Sequence, residues 1–451
     1  MSQPGYRKAV GCPGVGSPTM TALRQRTALL LLAVLAVPFL TAGLYEAWQD
    51  SPTFDEPVYV AAGVTALTRH DLRINPEHPP LAKVLAALPV LAAHPRIPAG
   101  PGWSRGDEYT YSAAFLRAQP PDRLRRVTFA SRLVPLAEAV AAAFLIYALA
   151  AMLFSPVAGL LAGGLWLASP LTLGLGHVDG IDLPFTVATL LLAVALAGYL
   201  RRPGLRVAGL LGLAAGTALL TRHTALIVVP LALLTAAATR RPRRRALAEV
   251  ALAAAVAWGC LWTGYALLAP SALGLGWVPP LYVSGIHRLQ DLGLQPSNGY
   301  LFGQAWSGRR WWYWPGAVVL KVPVWSLLIA AAAPFAWTDL PRVTCRRAAL
   351  VALAPAIALG AFTLLQPRTI GVRYLLPVLA LLAVCTGPVV ALATSRGRRA
   401  VLALLAAGSI AATIAATPHP LAWSQPPLTP SYRYATNSDV DWGQDWYRLQ
   451  A

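Results

Sequence analysis

The run ALLLLAVLAVPFLTAGLYEA, residues 28–47, carries one charged side chain, Glu46, in 20 positions. A helix rises 1.5 Å per residue, so such a run crosses the roughly 30 Å hydrocarbon core of a bilayer. Comparable runs recur at Leu136–Phe154, Leu183–Leu200 and Ala246–Ala269. The whole chain is 56% hydrophobic and 12% charged, whereas soluble domains carry about a quarter charged residues. The hydropathy predicts an all-α polytopic membrane protein of about eleven helices. The expected spans are 27–47, 129–153, 156–175, 182–200, 205–221, 223–239, 246–269, 315–337, 348–365, 373–394 and 400–416. The pair 205–239 is short for two spans and also reads as a re-entrant hairpin.

Charge orients these spans. Five short segments hold 18 of the 37 basic residues: Arg7, Lys8, Arg24 and Arg26; Arg201, Arg202 and Arg206; Arg240, Arg241 and Arg243–Arg245; Arg342, Arg346 and Arg347; and Arg396, Arg398 and Arg399. All five share one side, which predicts a cytoplasmic N-terminal segment, 1–26, and a membrane domain, 27–416. The first loop, 48–128, a second loop, 270–314, the turn 176–182 and the tail, 417–451, then face outside. The net charge of +19 lies in clusters between apolar spans rather than on a soluble basic face, which argues against nucleic acid. Cys12, Cys260, Cys345 and Cys385 imply no disulfide framework, and no apolar segment precedes Cys12 to make it a lipoprotein site. Arginine far outnumbers lysine amid abundant Ala, Leu and Pro, which resembles a GC-rich bacterial coding bias; with the apolar spans, the expected location is a bacterial plasma membrane.

Polar chemistry concentrates on the predicted outer side. Asp55-Glu56-Pro57 follows the first span closely. Acids with proline start helices, but a carboxylate at the membrane face also suits a general base. Further on, Asn75-Pro76-Glu77-His78-Pro79-Pro80-Leu81-Ala82-Lys83 precedes an amphipathic stretch, Leu81–Ala93. Its prolines restrict the backbone and fix where acid, imidazole and ammonium stand.

Asp55-Glu56 followed by Glu77-His78-Pro79-Pro80-Leu81-Ala82-Lys83 resembles the first external loop of family 39 glycosyltransferases, which include protein O-mannosyltransferases and lipid A aminoarabinose transferases. The resemblance implies the membrane-embedded GT-C fold, with juxtamembrane helices in a large first loop. It also implies inverting transfer of a mannose-like pentose or hexose from a polyprenyl-phosphate carrier to an acceptor protein, lipid or glycan. Asp55, Glu56, Glu77 and His78 are the implied catalytic residues. His177-Val178-Asp179-Gly180, Thr221-Arg222-His223-Thr224, Lys321-Val322-Pro323 and Gly371-Val372-Arg373-Tyr374 are similar to further family elements, as is Asp439-Val440-Asp441-Trp442-Gly443-Gln444-Asp445. Asp179, Asp441, Trp442, Gln444 and Asp445 are thereby substrate-binding candidates. Relatives continue beyond the last motif, whereas this chain stops six residues after Asp445, which reads as a short or truncated member.

A carrier phosphate needs cations at the outer rim. Lys83, Arg222, Lys321 and Arg373 are the candidates, since charge within a membrane is costly and functional by default; snorkelling to headgroups is the plainer alternative. Glu138, inside the second span, is expected to pair internally with one of them. Trp306, Trp311, Trp312 and Trp314 suit either sugar stacking or an interfacial belt. A divalent ion beside the phosphate is compatible with Asp55 and Glu77 as oxygen ligands, but nothing requires it. A transporter or flippase is the rival class; it calls for discontinuous helices near the midplane.

Overall fold

The computed structural model describes residues 18–239 and 242–449, with side chains from Leu23 onward. Arg7, Lys8, Cys12, Arg240 and Arg241 lie outside the described residues. Helix α1 (Pro18–Gln49) is followed by four helices within the first loop: α2 (Glu56–Arg69), α3 (Leu81–Ala92), α4 (Pro101–Arg105) and α5 (Glu108–Arg117). Then come α6 (Pro121–Leu153), α7 (Pro156–Leu167), α8 (Pro170–Gly176), α9 (Asp182–Arg201), α10 (Leu205–Thr221), α11 (Ala225–Thr239) and α12 (Arg243–Leu268). The second loop carries α13 (Pro280–Leu294) and an antiparallel hairpin, β1 (Asn298–Leu301) and β2 (Gln304–Ser307). The series continues with α14 (Tyr313–Lys321), α15 (Val324–Thr338), α16 (Arg342–Ala348), α17 (Ala354–Leu365), α18 (Leu376–Thr386) and α19 (Arg396–Ala416), and α20 (Trp446–Leu449) lies in the tail.

The predicted apolar segments all form helices, but not all are single straight spans. Among the described residues, seven helical stretches are long and apolar enough to cross a bilayer unbroken. Two expected spans are bent instead: 156–175 turns by 63° between α7 and α8, and 315–337 by 118° between α14 and α15. The physical cause is proline. Val322, before Pro323, is extended at φ −106°, ψ 130°, because the proline ring excludes the helical region for its predecessor and lacks an N–H. Ser169, before Pro170, is likewise extended and accepts from Thr172 N, so it starts a new helix. Residues 205–239 form two separate helices, α10 and α11, of 17 and 15 residues, and α10 packs along α12.

Helix α6 begins at Pro121, eight residues before the predicted 129, and its extra turns carry the first loop. Helix α2 packs on α3 and α5, and α3 packs on α6. A buried cluster of Val60, Val64, Val90, Tyr111, Phe115 and Val127 joins them. The predicted amphipathic stretch is α3. The tail folds back onto the same face: Ser51 N donates to Gln444 O at 2.8 Å and Phe54 N to Trp442 O at 3.0 Å. Lys321 Nζ fastens it further by donating to Leu421 O (2.8 Å), Asp439 O (2.7 Å) and Trp423 O.

Candidate active site

A cavity of about 960 Å³ opens between the first loop, the linker before α18, helix α13 and the tail. Asp55 stands at the start of α2 yet its side chain makes no capping bond. Its Oδ2 accepts from Arg373 Nη1 at 2.8 Å, across the cavity wall. Arg373 Nε lies 3.8 Å from Asp182 Oδ2, and Asp182 pairs with Arg222 behind it. The Arg373 guanidinium also sits 4.1 Å over the Trp442 ring. Asp55, Arg373 and Trp442 thus form one contact, built from the first loop, the foot of α18 and the tail.

Glu56 has a different setting. Arg132 grips it with two N–H···O bonds of 2.7 and 2.6 Å, both side chains being buried. Thr53 N and Asp179 N add bonds of 2.8 Å each. Every carboxylate oxygen of Glu56 is therefore engaged in holding the loop, and Glu56 does not line the cavity. Asp179 lies behind it with Oδ2 unpartnered; burial, with Glu56 and Glu138 nearby, pushes its carboxyl well up. Glu138 makes no ion pair among the described residues, contrary to the expected pairing with a cation, because its neighbour is another acid.

Glu77 and His78 both line the cavity. Asn75 Nδ2 donates to Glu77 Oε1 (2.6 Å) and to Glu108 Oε2 (2.9 Å), leaving Glu77 Oε2 without a partner. Burial and the adjacent Glu77 raise Glu108 to about 7. Burial, with Arg222 and Lys83 nearby, holds the His78 imidazole well below its usual range, which favours the uncharged ring and makes it a weak base. Its Nδ1 has no partner.

The cations divide. Lys83 donates to Asn75 O (2.6 Å), Asn75 Oδ1 (3.2 Å) and His78 O (2.7 Å), and burial lowers it to about 8. It fixes the Glu77-His78 turn and does not line the cavity. Lys321 is likewise enclosed by carbonyls of the tail. The expected phosphate role is corrected for both: an ammonium has three donors, and all three are used on the protein itself. Arg222 stands behind Arg373, and Arg373 faces the cavity. Asp441, Trp442 and Asp445 line it too, while Gln444 points away, accepting from Trp442 N at 2.7 Å. Trp306 and Trp314 are buried rather than free to stack, and Trp311 is exposed. Trp306 packs edge-on against Trp312 and donates to Thr369 Oγ1 at 3.2 Å. Asp55 and Glu77 share the cavity, but no group of three His, Cys, Asp or Glu side chains gathers to hold a metal among the described residues.

Asn75, Glu108, Arg132, Asp182 and Arg368 were not singled out as site residues by sequence. Arg368 falls between the expected spans 348–365 and 373–394 and no motif singled it out.

Residues 124–263 match the family model described as dolichyl-phosphate-mannose-protein mannosyltransferase. No curated protein matches the chain significantly. Among solved structures, ArnT from Cupriavidus metallidurans in the apo state aligns with TM-score 0.53 and 15% identity over 87% of this chain. The same protein bound to undecaprenyl phosphate gives 0.52 and 16% over 89%. The archaeal oligosaccharyltransferase AglB from Archaeoglobus fulgidus, in complex with an inhibitory peptide and a dolichol-phosphate, gives 0.53 and 13% over 86%.

The chain has the GT-C fold. The resemblance read in the first loop is joined by a family match that begins only at residue 124, so the two rest on different residues. This GT-C chain spans 66% of the length of the ArnT chains and 56% of AglB.

Proposed function

We propose that the protein transfers a sugar, with inversion, from a polyprenyl-phosphate carrier to an acceptor on the extracytoplasmic face of a bacterial plasma membrane. The Asp55–Arg373 pair on the wall of a large cavity carries this reading. It sets a carboxylate and a guanidinium side by side where the first loop meets the foot of a membrane helix. The undecaprenyl phosphate of ArnT and the dolichol-phosphate of AglB, on the same fold, support a lipid-phosphate donor here.

The acceptor oxygen attacks the sugar C1 from the face opposite the phosphate. Its proton passes to Asp55, and the C1–O bond breaks with its electron pair moving to the phosphate oxygen. Arg373 is shared between Asp55 and that developing charge, and preorganised donors aimed at such charge lower the barrier. Glu77 and neutral His78, which both line the cavity, orient the acceptor. The tail residues Asp441, Trp442 and Asp445 line the cavity as well and close it around the sugar. The sugar is a mannose-like pentose or hexose, the acceptor a protein, lipid or glycan, and a divalent ion held by Asp55 and Glu77 is compatible with the reaction.

Purified protein with a labelled polyprenyl-phosphate sugar tests this. Asp55→Asn is expected to reduce transfer by about 10²–10⁴-fold, the usual weight of a general base, while the protein still inserts. Undiminished turnover would sink Asp55's role. The bent helix pairs are features that a transporter also shows. Neither break lines the polar cavity, and a labelled donor recovered with its sugar–phosphate bond intact would favour transport.

A further inference from the structure

Among the described residues the cavity is lined by two arginines, Arg373 and Arg368. Arg373 is already matched by Asp55 and Asp182, and Asp182 is shared with Arg222. Two arginines and two aspartates make that cluster neutral. An anion added to it would leave uncompensated negative charge at the edge of a low-dielectric slab, which is costly. Lys83 and Lys321 are held by carbonyls and add nothing inside the cavity.

Arg368 has no such partner. It stands in the linker 366–371 between α17 and α18, forms no ion pair or hydrogen bond among the described residues, and has a buried Nε without a partner. Its charge acts on the Tyr109 phenol, also on the cavity wall. None of the other acids on the cavity wall bonds to Arg368. Asp441 accepts from Gly443 N, Asp445 lies beside His419 and Arg448, and Glu77 and Glu108 share Asn75.

We propose that Arg368 binds the phosphate of the lipid carrier, supplying the positive charge that the Asp55–Arg373–Asp182–Arg222 cluster lacks. This rests on the transfer reading above and names the cation that makes it work. The donor is a phosphodiester with one negative charge; the released carrier is a monoester with up to two. Arg368 therefore contributes more as the C1–O bond breaks than in the bound donor, so its loss lowers kcat more than it raises KM. A guanidinium offers paired N–H donors to phosphate, whereas an ammonium is a point charge, so lysine is expected to restore only part.

The test uses the purified full chain and two probes, undecaprenyl phosphate and undecaprenol, with transfer assayed in parallel. Arg368→Gln is expected to weaken undecaprenyl phosphate binding about tenfold or more, leave undecaprenol binding unchanged, and lower kcat; Arg368→Lys should fall between. Unchanged undecaprenol binding shows that the variant is folded. If wild type prefers the phosphate and Arg368→Gln prefers it equally, the proposal fails while the transfer reading stands. If wild type itself does not distinguish the two lipids, both fail.

Discussion

Asp55 and Glu56 leave the start of α2 about 100° apart, as consecutive helical residues must, and that angle separates their roles. Asp55 reaches the cavity and Arg373; Glu56 turns into the protein and meets Arg132. Glu108 shows how burial tunes a third carboxyl. Its ordinary value is 4.5, and desolvation beside Glu77 raises it to about 7. The folded chain therefore keeps a proton that the unfolded chain releases in between. The stability this group contributes is full below about 4.5 and is lost as pH rises through about 7. Glu108→Gln, neutral at every pH, is expected to flatten the fall in stability across that window. Unfolding midpoints of the detergent-solubilised protein, measured against pH, check this; a variant as pH-sensitive as wild type removes Glu108 from the account.

At the scale of elements, the site depends on how closely α2 approaches α3. Gly63 on α2 faces the backbone of α3: a Cβ there would collide with the Lys83 carbonyl and meet Ala87 Cβ at 2.8 Å. Helix α3 follows directly on the turn that presents Glu77 and His78, so displacing it moves them. Gly63→Ala is expected to cost about 1–3 kcal/mol, the range for overpacking, and to lower transfer as well. Gly209→Ala on α10, where a Cβ meets nothing within 4 Å, should do neither. Thermal unfolding and turnover of the two variants decide it, and equal behaviour would remove the α2–α3 contact from the site's support. The bends at Pro170 and Pro323 belong to this scale too. Proline there interrupts apolar runs that hydropathy reads as continuous.

Across the whole molecule, the first loop and the tail are sewn together although nearly 400 residues separate them. Ser51 Oγ donates to Gly443 O at 2.7 Å, and Arg448 bonds Asp50 at 2.8 Å and Glu46. Both must therefore lie on one side of the membrane. Charge predicts the basic clusters on the other side, so cysteines placed at Ser271 and Arg202, in a background lacking the native cysteines, should differ in intact cells. An impermeant maleimide is expected to label the first and spare the second. The reverse pattern would invert the topology and remove the extracytoplasmic site.

By itself, the sequence determined the class of protein, the helical segments and the place of the first-loop motif. Hydropathy is a local quantity, read over about 20 residues, and the 55–83 motif is local as well. The tertiary structure alone decided which charges are free. Asp55 and Arg373 meet across 318 residues, Lys321 is enclosed by a tail about 100 residues away, and Glu56 is taken by Arg132. The physical reason is that a charge's role depends on which partners desolvate and neutralise it. Those partners come from distant pieces of chain that only the assembled bundle brings together.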